Sequence, residues 1–138
     1  MGRMTSVTTV LIIDDDPATV ETVQEILRTA GYATATAADA FQGLRLVREV
    51  IPGVIVCDMV MPNMAGADLF RTLATDPATA KTPRVMISGR ADADRSCAHA
   101  FLAKPFGAED LLKTIIKATS RVAHKTELSE AEEPRWRG

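Results

Sequence analysis

Cysteine is scarce, and the two present, Cys57 and Cys97, cannot build a disulfide framework or a cysteine zinc site. Long apolar runs are missing too. The best, residues 10–13 and 54–57, fall far short of the roughly 18 residues a membrane span needs. The first ten residues, MGRMTSVTTV, lack the apolar stretch of a signal peptide. Nor is there an excess of one charge. Sixteen basic residues face 18 acidic ones, for a formal net charge of −2. Residues 1–126 hold 14 of each sign, and the last twelve carry four Glu against two Arg. That balance lacks the basic excess of a nucleic-acid-binding domain. These absences read as a soluble, cytoplasmic protein with no nucleic-acid partner and no membrane insertion.

What is present fits one domain. At 138 residues, with 46% hydrophobic and 25% charged residues, the chain can bury roughly two-thirds of its unfolded surface. Short β-branched runs alternate with amphipathic stretches. Residues 7–13 (VTTVLII) predict a buried strand ending on three Asp. Asp16-Pro17 then caps a helix carrying Val20, Val23, Leu27 and Ala30 at helical spacing, stopped by Gly31. Residues 32–37 predict a second strand, and Asp39 caps a helix with Phe41, Leu44 and Val47 inward, ended by Pro52. Further strands are predicted over 54–57, 84–87 and 100–103, and helices over 68–74 and 108–121. Five strands alternating with five helices imply a parallel α/β sheet covered on both faces. The domain is expected over residues 7–122, after an extension at 1–6 and before a polar, disordered tail at 123–138.

In such sheets, ligands bind beyond the carboxyl ends of the strands. Strand one delivers Asp14, Asp15 and Asp16 to that rim, strand three Asp58, strand four Ser88 and strand five Lys104. Clustered carboxylates repel one another unless a cation sits among them, and oxygen-only ligands suit Mg²⁺ or Mn²⁺. A lysine and a hydroxyl beside that metal are donors suited to a phosphoryl group.

VLIIDDDP, VIVCDMVMPNMAG, VMIS and AKPF, in that order and spacing, resemble the receiver domain of bacterial two-component response regulators. The resemblance covers roughly residues 7–122 and implies a flavodoxin-like sheet of strand order 2-1-3-4-5. It implies that Asp58 is the phosphoacceptor. Asp14, Asp15, Asp58 and the backbone carbonyl of Val60 would hold Mg²⁺. Val60 and Gly89 would offer backbone contacts to the phosphoryl group, and Lys104 would pair with it. Ser88 and Phe101 correspond to the pair that reorients on activation, and Lys104-Pro105 to a cis peptide bond. The implied partners are a histidine kinase or histidine phosphotransfer protein and an unnamed downstream protein. The protein would be a phosphoacceptor that catalyses its own phosphorylation and dephosphorylation rather than an enzyme acting on other molecules. With no room after its last helix for an output module, it is expected to stand alone. Val60 and Arg90 occupy positions that tune phosphoryl lifetime, and predict slow self-hydrolysis.

Plainer readings apply elsewhere. Asp16 is a helix cap with no metal role, and Cys57 is inert packing in a buried strand. Met59, Met61 and Met64 follow the loop pattern, and His99 and His124 are too isolated for a metal site. Phe101 is open between switch and core, and Trp136 belongs to the tail. The segment from Ser88 to Lys104 is short: residues 89–98 are near the minimum for a helical crossover. The fourth helix is therefore expected to be shortened or disordered. That departure keeps a rival open, a phosphorylation-independent interaction domain on the same scaffold. An electron carrier would want a phosphate-cradling Ser/Thr/Gly loop after strand one, and a phosphohydrolase an Asp-x-Asp there. Neither is present.

Overall fold

The apolar run after Thr8 becomes an inner strand because both of its faces find helices to bury against. The computed structural model describes residues 7–61 and 63–132, in the order β1 (Thr9–Ile13), α1 (Pro17–Thr29), β2 (Ala33–Ala37), α2 (Ala40–Val50), β3 (Val54–Asp58), α3 (Gly66–Thr75), β4 (Arg84–Ser88), β5 (Ala100–Ala103) and α4 (Ala108–Glu132). All five strands are parallel, in the order β2-β1-β3-β4-β5.

Strand alternation divides the core into two layers. Val10, Ile12, Val54, Val56, Val85 and Ile87 face one side, against Val23 and Leu27 of α1 and Leu111 and Ile115 of α4. Leu11, Ile13, Ile55 and Met86 face the other, against Val47 of α2 and Leu69, Phe70 and Leu73 of α3. Each fully buried Leu, Ile or Phe contributes about 1.5–3 kcal/mol. The caps follow the sequence: the Asp16 side chain accepts from the Ala18 N–H, and Asp39 from the Gln42 N–H. Gly31, at φ 96°, turns the chain out of α1.

Two elements depart from a regular five-helix pattern, the first as the shortness of residues 89–98 implied. The β4–β5 crossover, residues 89–99, contains no helix, so the described residues hold four helices rather than five. Here side chains compete with helical hydrogen bonding. The Asp94 carboxylate accepts from both the N–H and the hydroxyl of Ser96, and Arg90 forks onto Asp92. Ala93, Cys97 and Ala98 still pack onto the α3 side of the core. The second difference is α4, which runs through Glu132 instead of ending at Arg121. Residues 122–132 lack an apolar stripe, so they read as tail. They also lack any glycine or proline, and the helix continues through them. Residues 1–6 and Trp136 lie outside the described residues, and no described helix is long and apolar enough to cross a membrane.

Candidate functional site

Strand register builds the rim. Ile13 pairs with Cys57, Asp58 with Ile87, and Ser88 with Ala103, so the residues after β1, β3, β4 and β5 emerge side by side. Three backbone bonds fix the exits: Asp14 N–H to the Ala37 carbonyl, Met59 N–H to Ile87, and Lys104 N–H to Ser88, at 2.9–3.0 Å.

This register brings one carboxylate oxygen from each of Asp14, Asp15 and Asp58 within 4.8 Å of one another. Asp14 is buried, Asp58 half-buried and Asp15 exposed. Lys104 Nζ donates to Asp58 Oδ1 at 3.2 Å. Burial holds the Asp14 carboxyl above the usual carboxylate range. The Asp16 N–H, at 2.9 Å from Asp14 Oδ1, pulls it down, the Asp58 charge pushes it up, and Lys104 and Asp15 act in opposite senses more weakly. The cluster thus concentrates negative charge where one side chain cannot hydrate, and its donors are all hard oxygens. That donor set fits a small divalent cation such as Mg²⁺.

The remaining predicted residues surround it. Ser88 is buried, its hydroxyl 3.7 Å from Met59 Sδ and accepting the Arg90 N–H at 2.9 Å. Gly89 lies beside Lys104, whose peptide bond to Pro105 is cis. The Val60 side chain is exposed in the loop after β3. Phe101 is half-buried on the α3 side of the sheet, with the Arg95 guanidinium 3.7 Å above its ring. The Arg90 guanidinium is committed to Asp92, and so does not reach the carboxylate cluster in this arrangement. Between α1 and the turn after β5, a groove of about 520 Å³ opens beside Lys104, walled by Thr19, Thr22 and Phe106.

Plainer readings hold for several neighbours. Asp16 accepts from Ala18 N–H and Thr19 Oγ1, which together hold its carboxyl low, as in a cap. Burial, with Asp58 and Asp14 nearby, pushes the Cys57 thiol well above its ordinary value, which leaves it unreactive. His99 Nδ1 accepts the Arg84 N–H at 3.0 Å, a structural role.

Two residues escaped the sequence reading. A Cβ at Gly66 would stand 2.4 Å from the Asp58 carbonyl oxygen and 3.0 Å from Met59 Cα, so only glycine lets α3 approach the end of β3 this closely. Its signal was a glycine opening a helix with no capping side chain at Ala65. Arg84 is the other: buried, it donates from Nε to the Cys97 carbonyl at 2.8 Å and from Nη1 to Ala80 and Thr82 at 3.1 and 3.2 Å. An arginine opening a fully apolar strand was its signal.

Residues 10–116 match the response regulator receiver domain family. The chain is 32% identical over 112 residues to the DNA-binding response regulator MtrA of Mycolicibacterium smegmatis, covering 77% of this chain and 48% of MtrA. It is 31% identical over 130 residues to the DNA-binding dual master transcriptional regulator RpaA of Synechocystis sp., covering 88% of this chain and 54% of RpaA. Among solved structures, the chemotaxis response regulator CheY4 of Vibrio cholerae superposes with a TM-score of 0.75 at 28% identity, covering 82% of this chain and 99% of that one. The chain spans about half the length of MtrA and RpaA. That overturns the expectation of a stand-alone protein with no nucleic-acid partner, because these relatives are DNA-binding regulators. A neutral receiver says nothing about partners met through the other half of such a protein, so the charge balance was the wrong witness. The matched span and the shared fold settle the family: the chain belongs to the response regulator receiver domains.

Proposed function

We propose that Asp58 accepts a phosphoryl group from a phosphohistidine on a partner histidine kinase or phosphotransfer protein. The observation that carries this reading is the convergence of three carboxylates with Lys104 Nζ, 3.2 Å from Asp58, at the carboxyl ends of parallel strands. A carboxylate oxygen of Asp58 attacks phosphorus, the donor's P–N bond breaks as the P–O bond forms, and the freed imidazole takes up a proton. Mg²⁺ held by Asp14, Asp15, Asp58 and the Val60 carbonyl would offset charge on the transferred oxygens. Lys104, already beside Asp58, pairs with those oxygens, and the Gly89 N–H and Ser88 hydroxyl lie on the same rim to receive them. The groove beside Lys104 leaves an approach for the donor. The chain thereby catalyses its own phosphorylation, and water at the same site reverses it.

The acyl phosphate adds about two negative charges to a rim already crowded with them. Ser88 then leaves Met59 and the Arg90 N–H for the phosphoryl group, and Phe101 moves with β5, which ends one residue before Lys104. The result is read through altered protein contacts or by onward relay of the phosphate. With DNA-binding regulators among the relatives, the reading includes a nucleic-acid output for a protein that carries this receiver. The chain's proposed site of action is the cytoplasm, where a kinase can reach Asp58.

Incubation with Mg²⁺ and acetyl phosphate, followed by intact mass, tests the reading. One added phosphoryl group is expected, absent in Asp58→Asn and absent without Mg²⁺. No added mass, together with an amide NMR spectrum unchanged by Mg²⁺ and beryllofluoride, would leave the phosphorylation-independent rival standing.

A further inference from the structure

Loss of the crossover helix exposes the flank of β5. Between β5, the end of the crossover and α4 lies a concave site of about 270 Å³, walled by Arg95, His99, Phe101, Lys117 and Arg121. Three of these five side chains are permanent cations at neutral pH. None of the three pairs with a carboxylate among the described residues, because the nearby acids are engaged elsewhere. Asp92 is held by Arg90, and Asp94 by Arg71 and Ser96.

Two of the cations are also fixed in place. The Arg121 guanidinium donates to the His99 carbonyl, and that of Arg95 sits over the Phe101 ring, 3.7 Å from its centroid. Each retains further N–H donors, and the ordering cost of both side chains is already met before a ligand arrives. His99, in turn, is pinned to the start of β4 through its Nδ1. Like charges gathered in a concavity raise the local potential and favour a multiply charged anion. Guanidinium forks match phosphate oxygens in particular. The volume suits a small molecule rather than a polymer.

We propose that this pocket binds a small phosphate-bearing ligand, held by Arg95, Lys117 and Arg121. It stands on the β5 flank, apart from the carboxylate cluster, and its charge is of the opposite sign.

The full chain, free of divalent metal, is titrated with pyrophosphate and separately with ADP while amide NMR signals are followed. Saturable shifts are expected at residues 95–101 and 117–121. Lys117→Glu weakens binding about tenfold or more, as removal of one charge-assisted hydrogen bond would. Lys113→Glu, on the same helix but outside the pocket and paired with Glu109, leaves it unchanged. Tighter binding of ADP than of pyrophosphate assigns a nucleotide, and equal binding assigns the phosphate alone; both uphold the site. Shifts that grow linearly into the tens of millimolar overturn it. So do shifts centred on Lys104, or equal losses in the two variants.

Discussion

Asp14 is held at a cost. Its carboxyl sits at 5% exposure, and burial raises its pKa above the ordinary value. The folded protein therefore holds that proton more tightly than the unfolded chain does. Ionised Asp14 subtracts from stability at neutral pH, and the penalty fades as pH falls through the raised value. Asp14→Asn keeps an oxygen for the Asp16 N–H but removes the charge. Without metal at pH 7, the variant should melt roughly 3–5 °C higher, as about 1 kcal/mol of relieved desolvation and repulsion would give. If Mg²⁺ binds the cluster as proposed, it should raise the Tm of the unchanged protein and not that of this variant. Parallel melts with and without Mg²⁺ check both parts, and a lower metal-free Tm would refute the first. Gly66 sets a different constraint at the same rim. In Gly66→Ala the new methyl meets the Asp58 carbonyl oxygen, so α3 or the end of β3 must give way. The expected loss is about 2–4 kcal/mol in urea unfolding. Phosphorylation by acetyl phosphate should also slow, because the moved group is the backbone that aims Asp58.

At the scale of elements, the crossover is tied down by side chains instead of by a helix. Arg84 ties it to the loop before β4, its one guanidinium taking the Cys97 carbonyl on the crossover and the Ala80 and Thr82 carbonyls on that loop. Arg84→Leu fills the space but leaves those acceptors unpaired. It should destabilise by about 2–4 kcal/mol, measured by chemical denaturation. A loss below about 0.5 kcal/mol would mean that water replaces the guanidinium. The sequence made the sheet legible because four of its five strands are apolar runs closed by a polar residue with a chemical reason to be there: Asp14, Asp58, Ser88, Lys104. It made the crossover legible only by its length. Nothing in GRADADRSCAH announces that Arg84, outside the segment, holds it. The far half of α4 was illegible for the opposite reason. Absence of an apolar face signals that a segment is unburied, and an unburied segment free of breakers can still be helix.

For the whole molecule, stability should be unevenly spread. The two core layers clamp β1, β3 and β4, whereas the crossover has few backbone bonds, Ala98 N–H to Arg95 and His99 N–H to Arg84 among them. Amide exchange in residues 89–98 should outpace that of β1 and β3 by at least about a thousandfold. Uniform protection across the chain would contradict this. The same unevenness explains why the carboxylate site was readable from sequence and the cationic pocket was not. The first is assembled by strand ends, which obey a simple rule of register. The second depends on where an irregular segment leaves its arginines.

The position of β1 in the sheet bears on how the chain is made. Thr9–Ile13 leaves the ribosome ahead of the other four strands of this sheet, yet one of its two neighbours, β3, begins only at Val54. Until then, one edge of an almost wholly apolar ribbon stays open to any passing strand. Pairing with β2 covers the other edge early, through a short local loop and α1. During synthesis this molecule is therefore most prone to aggregate in the interval before β3 arrives, and that interval is where a chaperone would find it.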